Sequence, residues 1–355
     1  MPDPVPPLGL RALEAAAREI LATSRFDYIA GGGWDEVTIA ANEAAFRERR
    51  LVPRFLVDVS AVRTDTTILD APVSAPFGFA PTALHELVHP EGELPGARTM
   101  AGLGLPFVLS TLANRTIEAV AAAAPDGVRW FQLYVNADRA VSRSLVERAT
   151  AAGYRAIVVT VDVPGDGHRP RDLRNRFTAP GTFGNLAGDT TYDGQMGEEL
   201  ARLIDASLTW DDIDTIATWS PLPIVIKGIL SPDDARIAVD HGVAAVWVSN
   251  HGGRQLDRAI ASLDALGPVV DAVAGRAEVY LDSGVRDGVD VVTALATGAD
   301  AVFLGRPFLY ALAVGGEPGL ERAAAALRTE TAKAMASLGT PRVADIGRGH
   351  LAARP

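Results

Sequence analysis

A histidine and an arginine, His251 and Arg254, follow the apolar run Ala245–Val248 in the stretch Ala-Val-Trp-Val-Ser-Asn-His-Gly-Gly-Arg. An imidazole moves a proton near neutral pH, and a guanidinium can hold a carboxylate at two points. A buried strand that ends in that pair, across two glycines, has the composition of an active-site lip. Other candidate site residues stand at the ends of this and the other apolar runs. They are Pro81, Thr82 and Ala83; Ser110 and Thr111; Gln132 and Tyr134; Thr160 and Asp162, with Arg169 shortly after; Lys227; Ser249; Asp282 and Ser283; and Gly305 with Arg306. Each alone has a plain structural reading: Gln132 as a hydrogen-bonded core residue, Lys227 as a surface lysine, Asp282 as a helix cap. Their recurrence at eight strand ends is what those readings leave unexplained, since each buried unsatisfied polar group costs roughly 1–3 kcal/mol.

The chemistry of this set can be narrowed. His251 with Asp282 on the following run reads as a general base oriented by a carboxylate. Arg169 and Arg254 together read as an anion clamp. Lys227 alone would permit a Schiff base, as in a flavin-free aldolase. Gly284 and Arg286, then Gly305 and Arg306, form Gly-plus-Arg turns after the last two runs, where barrels tend to bind phosphate. Proton abstraction from a carboxylate substrate beside a phosphorylated cofactor fits the set, with a flavin accepting two electrons. A metal centre does not fit: His85 and His89 stand four apart, but Pro90 follows and no third ligand is evident.

The elements that must position these residues alternate. Apolar runs at Pro76–Ala80, Pro106–Leu109, Trp130–Val135, Ala156–Val161, Ile224–Ile226, Ala245–Val248, Val279–Leu281 and Ala301–Leu304 read as strands. Between them Pro90–Ala101, Thr116–Ala124, Ala140–Ala152, Ser231–His241, Ser262–Ala274 and Gly288–Thr297 read as helices. Eight such units predict an α/β fold, a (β/α)8 TIM barrel, and no Gly-x-Gly-x-x-Gly turn follows the first run as a doubly wound sheet would show. Residues 1–74 are predicted to be a helical extension packed on the barrel of residues 75–355. Its helices fall at Leu10–Leu21 and Thr38–Arg50, with a break over Phe26–Gly33 after a second short helical piece and a short hairpin near Thr66–Val73. A long loop after the fourth strand, residues 163–210, reads as an active-site lid, most mobile over Phe177–Gln195. Gly319–Leu338 reads as a helix beside the barrel.

Composition bounds the rest. The chain has 355 residues, 48% hydrophobic, a formal charge of −11 and no cysteine. The acidic balance disfavours nucleic acid or an anionic membrane as partner. No run approaches a membrane span and the Pro-rich start is unlike a signal peptide, so a cytoplasmic enzyme is expected.

Several motifs together resemble the FMN-dependent 2-hydroxy acid oxidase and dehydrogenase family, which includes glycolate oxidase, lactate oxidase and mandelate dehydrogenase. They are Ser249-Asn250-His251-Gly252-Gly253-Arg254-Gln255-Leu256-Asp257, Phe131-Gln132-Leu133-Tyr134, Thr160-Val161-Asp162, Arg171–Phe177, Leu281–Gly284, Gly305-Arg306-Pro307 and His89–Glu93, in family order from about residue 20 to 345. The resemblance implies FMN as cofactor and oxidation of an (S)-2-hydroxy acid to the 2-keto acid. O2 would be the acceptor, giving hydrogen peroxide; a quinone- or carrier-linked dehydrogenase, or a biosynthetic oxidase acting on a related carboxylate, is the alternative.

The same resemblance assigns roles. His251 is the base, supported by Asp282. Tyr28, Arg169 and Arg254 hold the carboxylate, and Tyr134 contacts the substrate oxygen. Lys227 lies on the flavin. Pro81, Thr82, Ala83, Ser110, Gln132, Thr160 and Ser249 touch the flavin ring or ribityl chain, and Asp282 counts with the cofactor residues too. Gly284, Arg286, Gly305 and Arg306 hold the phosphate. Leu112 replaces a tryptophan found in glycolate-type oxidases, which implies a substrate larger than glycolate, mandelate-like or alkyl. Ala83 stands where oxidases tend to carry alanine. A homotetramer is the oligomer the family suggests.

Overall fold

The structure, a computed structural model, describes residues 9–165, 167–179, 182–186 and 204–353. Eight strands form one closed parallel barrel: β3 (Phe77–Thr82), β4 (Phe107–Ser110), β5 (Arg129–Leu133), β6 (Ile157–Thr160), β7 (Ile224–Ile229), β8 (Ala245–Val248), β9 (Glu278–Leu281) and β10 (Ala301–Leu304), with β10 pairing back onto β3. The (β/α)8 expectation is met, and most strands begin or end within a residue or two of the expected runs.

Strand alternation sets what faces the axis. Ala80, Val108, Trp130, Val158, Val225, Trp247, Tyr280 and Phe303 share one buried cluster inside the barrel. Side chains repeat on one face every second residue. Two residues onward from these eight lie Thr82, Ser110, Gln132, Thr160, Lys227, Ser249, Asp282 and Gly305. The polar ring at the C-terminal mouth is therefore the next layer of the same pleat. The intervening residues, such as Phe79, Leu109, Phe131, Val159, Ile226 and Leu281, face outward into the cluster shared with the helices. Burying each such side chain contributes about 1.5–3 kcal/mol.

Ahead of the barrel come α1 (Arg11–Ile20), α2 (Thr23–Ala30) and α3 (Val37–Glu48). The break expected over Phe26–Gly33 starts only at Gly31. Phe26, Ile29 and Ala30 recur at helical spacing and are buried, so packing carries the helix through the stretch. A hairpin of β1 (Thr66–Ile68) and β2 (Ala71–Val73) turns through Leu69 and Asp70, both left-handed at φ 45° and 59°. Its Ile68, Ala71 and Val73 join the interior cluster, so it caps the end of the barrel opposite the polar ring.

The later helices are α4 (Leu94–Gly102), α5 (Ile117–Ala123), α6 (Arg139–Ala151), α7 (Pro170–Asn175), α8 (Trp210–Ala217), α9 (Pro232–Asp240), α10 (Ser262–Val273), α11 (Gly288–Thr297) and α12 (Arg306–Leu338). The helix expected from Pro90 starts only at Leu94. α12 bends at Gly316, φ 57°, so the expected Gly319–Leu338 helix is its second limb. Of the expected mobile stretch 177–195, residues 180–181 and 187–195 lie outside the described residues. Among the described residues no helix is long and apolar enough to cross a membrane.

Candidate active site

The polar mouth opens on a cavity with about 1210 Å³ of empty space, its open entrance included. His251 stands at its edge on a short turn, with φ 58°, followed by Gly252 at 67° and Gly253 at 74°. Three successive left-handed residues bring the imidazole back over the barrel, a conformation disfavoured for a residue with a side chain. The turn is held from below: the His251 N–H donates to Ser249 Oγ at 3.0 Å, and Gly252 N–H donates to Ser283 Oγ at 3.0 Å.

The carboxylate against His251 is Asp162, whose Oδ1 lies 2.9 Å from Nδ1. This corrects the expectation that Asp282 fills that place. Asp162 opens the loop after β6, two strands from β8, and it crosses above β7 where Gly228 sits at φ 113°. A Cβ on Gly228 would come within 2.6 Å of the Asp162 Cβ. The same glycine marks the register shift between β7 and β8.

Burial lowers the His251 pKa below its ordinary value, although Asp162 pulls the other way. Asp162 itself is held below its usual range: burial would raise it, but His251 and Lys227 outweigh that. The resting pair is therefore a neutral imidazole beside a carboxylate. An ionised Asp162 accepts from Nδ1–H and leaves Nε2 with a bare lone pair. Nε2 lies 3.5 Å from the Tyr134 hydroxyl. Burial, with Asp162 nearby, pushes the Tyr134 pKa up, so the phenol stays a proton donor.

Asp282 occupies a second polar cluster. It accepts from Ser249 Oγ at 2.7 Å and Ser283 Oγ at 2.6 Å, and its Oδ2 lies 3.4 Å from Lys227 Nζ. Lys227 also donates to Ser249 Oγ at 3.0 Å. Burial would depress the Lys227 pKa, but Asp282 and Asp162 outweigh it and raise it. Lys227 is a fixed cation facing the cavity, which argues against a Schiff-base amine.

The residues expected to form the anion clamp come together from three segments. Arg169 and Arg254 both flank the Tyr28 ring, with guanidinium carbons 5.6 and 5.0 Å from its centroid. Tyr28 comes from the end of α2 and stacks on Phe177 at 4.3 Å. Burial, with repulsion from Arg169, lowers the Arg254 pKa. Asp172, 3.3 Å from Arg169 Nε, offsets part of this charge, and two buried arginines that still repel each other at a cavity wall favour an anion between them. Arg254 also donates through Nη1 to the carbonyls of Tyr28 at 2.7 Å and Gly31 at 2.9 Å, tying α2 in place. Lysine reproduces neither the fork nor the tie. Arg254→Lys is expected to weaken binding of a carboxylate ligand about 10- to 100-fold in equilibrium titrations; unchanged affinity would remove Arg254 from the clamp.

Whether the mouth suits a flavin can be judged from its unsatisfied groups. Gln132 Nε2 and Thr160 Oγ1 are buried in the polar ring without a hydrogen-bond partner. Adjacent orphans on β5 and β6 suit the polar edge of a heterocycle. Pro81, Thr82, Ala83, Ser110, Leu112 and Lys227 line the cavity beside them. At the far side Gly284, Arg286, Gly305 and Arg306 line it where α12 begins, its first turn offering backbone N–H groups. The Arg306 guanidinium already donates to the carbonyls of Ile29, Gly252 and Gly31 at 3.0, 2.8 and 3.1 Å. Burial among Arg254 and other charges pushes its pKa down to about 10. It contributes charge and ties α2 and the His251 turn together. The residues present fit FMN.

Sequence reasoning assigned no role to Asn42 of α3. Asn42 and Asn250 exchange side-chain hydrogen bonds at 2.9 and 2.7 Å, both buried, and Asn42 also accepts from Ser262 N–H at 3.2 Å. The pair braces the residue next to His251 from outside the barrel. Only the sequence Ser-Asn-His hinted at it, and the partner lies 208 residues away.

The sequence pattern of the family described as FMN-dependent dehydrogenase matches residues 17–353. An L-lactate oxidase of Nostoc sp. is 46% identical over 358 residues, covering 97% of this chain and 98% of that one. A glycolate oxidase of Spinacia oleracea is 43% identical over 348 residues, covering 96% and 94%. A crystal structure of mandelate oxidase with (S)-4-hydroxymandelic acid superposes with a TM-score of 0.93 at 40% identity, covering 97% of this chain and 98% of that one.

Proposed function

Since the chain belongs to the FMN-dependent dehydrogenase family and is an FMN-dependent oxidoreductase acting on the CH–OH group of 2-hydroxy acids, we propose that it is an oxidase for an (S)-2-hydroxy acid bulkier than glycolate. The observation that carries the substrate class is the convergence of His251, Arg169, Arg254 and Tyr134 on one cavity wall. The arginines hold the carboxylate and so place the 2-position under Nε2 of His251. Tyr134 donates to the substrate hydroxyl oxygen. His251 takes one proton, from that hydroxyl or from the α-carbon, and Asp162 stabilises the cation that results. Bound FMN supplies the two-electron acceptor. The charged Lys227 and the orphaned Gln132 and Thr160 groups would hold its ring, and the turns at 284–286 and 305–306 its phosphate.

Part of the cavity lining is apolar, with Leu84, Leu87, Val88, Leu112 and Val163 in it. An alkyl or aryl group gains from burial against such side chains. O2 as acceptor, with hydrogen peroxide as product, is supported by relatives named as oxidases and by Ala83 at the cavity wall. A homotetramer working in the cytoplasm completes the reading. Stopped-flow spectroscopy tests the acceptor. After anaerobic reduction by a mandelate or a long-chain 2-hydroxy acid, mixing with air should restore the yellow form rapidly, with about one peroxide per turnover. Slow recovery in air but fast recovery with an artificial acceptor would identify a dehydrogenase instead.

A further inference from the structure

Thr82 ends β3 at the cavity wall, and the side chain behind it is His85. His85 is 1% exposed and does not line the cavity. Its Nε2 lies 2.7 Å from Thr82 Oγ1. Two aromatic rings hold the imidazole: it stacks on Phe79 at 5.3 Å and meets Phe107 edge-on at 6.3 Å. Its backbone N–H donates to Glu93 Oε1 at 3.1 Å, and Glu93 is anchored in turn by the N–H groups of Asn114 and Arg115. The Thr82 methyl lies over Gly305, where any added Cβ would come within 3.1 Å of Thr82 Cγ2.

The other nitrogen, Nδ1, is buried with no partner. That fact selects the tautomer. A buried N–H without an acceptor is rarer in proteins than an under-used lone pair. The proton therefore sits on Nε2, and Nδ1 carries only its lone pair. Burial keeps the ring neutral by lowering its pKa, against the pull of Glu93. With Nε2–H donating, Thr82 Oγ1 is the acceptor of that bond. The hydroxyl hydrogen of Thr82 is then left for another acceptor, and Thr82 lines the cavity while His85 does not.

We propose that His85 is a positioning residue that sets the Thr82 hydroxyl as a hydrogen-bond donor into the cofactor cavity. A donor aimed at a ring that gains electrons favours the reduced form, because reduction adds negative charge there. His85 thus sets the reduction equilibrium of bound FMN without touching it. The inference rests on FMN occupying this cavity.

The test is the two-electron midpoint potential of the FMN-loaded protein, measured by dye equilibration. His85→Leu is expected to reduce the equilibrium constant for reduction roughly tenfold, a fall of about 30 mV. Thr82→Val should give a fall of the same size, and the double variant no more than either alone. His85→Gln, which can still donate N–H to Thr82, should recover most of the potential. The KM for the acid should stay constant across the set while the rate of cofactor reduction falls. An unchanged potential in Thr82→Val overturns the proposal even if His85→Leu fails to fold. Additive shifts in the double variant overturn it too. A wild-type protein purified without flavin absorbance would instead overturn the FMN reading, and the proposal with it.

Discussion

His251→Ala is expected to yield a yellow, FMN-loaded protein whose reduction by a 2-hydroxy acid is slower by about 10²–10⁴-fold. No other base among the described residues stands where Nε2 stands: Tyr134 is held protonated by burial, and Lys227 is charged. Asp162 lies behind the imidazole, on Nδ1. Cofactor binding survives because the polar ring and the Gly-Arg turns do not include the imidazole. Anaerobic stopped-flow measurement, with the flavin spectrum recorded before mixing, separates the two effects. Rapid bleaching in the variant would refute His251 as the base. Loss of the yellow colour would show that the turn at 251–253 holds the cofactor as well.

Asp162→Asn should be almost as damaging, by about 10²–10⁴-fold, for a different reason. The carboxylate can only accept from Nδ1–H, which leaves Nε2 free to take a proton. A carboxamide can present its NH2 instead, drawing the lone pair to Nδ1 and placing the proton on Nε2. The base is then present in the wrong tautomer. The pH dependence carries a second signature. In the native protein the rate falls as pH drops through the His251 pKa, which burial places below the ordinary value near 6.5. Asp162 raises that pKa, so its removal moves the acid limb of the profile further down in pH while the plateau falls. A plateau near the native one would show that His251 needs no partner. An acid limb that moved upward would contradict the electrostatic argument. Asp282→Asn, by contrast, acts on Lys227 and Ser249, and should leave the position of that limb nearly where it was.

That difference between Asp162 and Asp282 shows what could be read from the residues alone. The barrel was legible because eight apolar runs of similar length alternate with Ala-rich helical stretches. The polar ring was legible because the pleat places each strand-end residue two positions beyond a core residue. Tyr134, Arg169, Lys227, His251 and Arg254 line the cavity through that periodic logic and the loops that follow it. Pairing across the mouth was another matter. Adjacency of strands made Asp282 the natural neighbour of His251, since β9 pairs with β8. The real neighbour reaches over β7 at a bulge, and a single glycine among 34 does not advertise a bulge. Tyr28 was reached only through the family resemblance, and Asn42 not at all, for a related reason. Each belongs to a helix whose own pattern encodes only its packing, while its functional contact is set by tertiary closure.

The arrangement of α2 and α3 also bears on the order in which the protein forms. Both helices leave the ribosome before any barrel strand. Yet the bonds that seat them come from Asn250, Arg254 and Arg306, separated from their partners in and just after these helices by 208 to 277 residues. Loops that long close late, after local β/α units have formed. The barrel can therefore assemble with its mouth unfinished, and the carboxylate clamp and the braced His251 turn are completed when the early helices dock at the end of synthesis. Refolding from denaturant should show the same sequence of events: secondary structure returns first, and competence to bind a 2-hydroxy acid last.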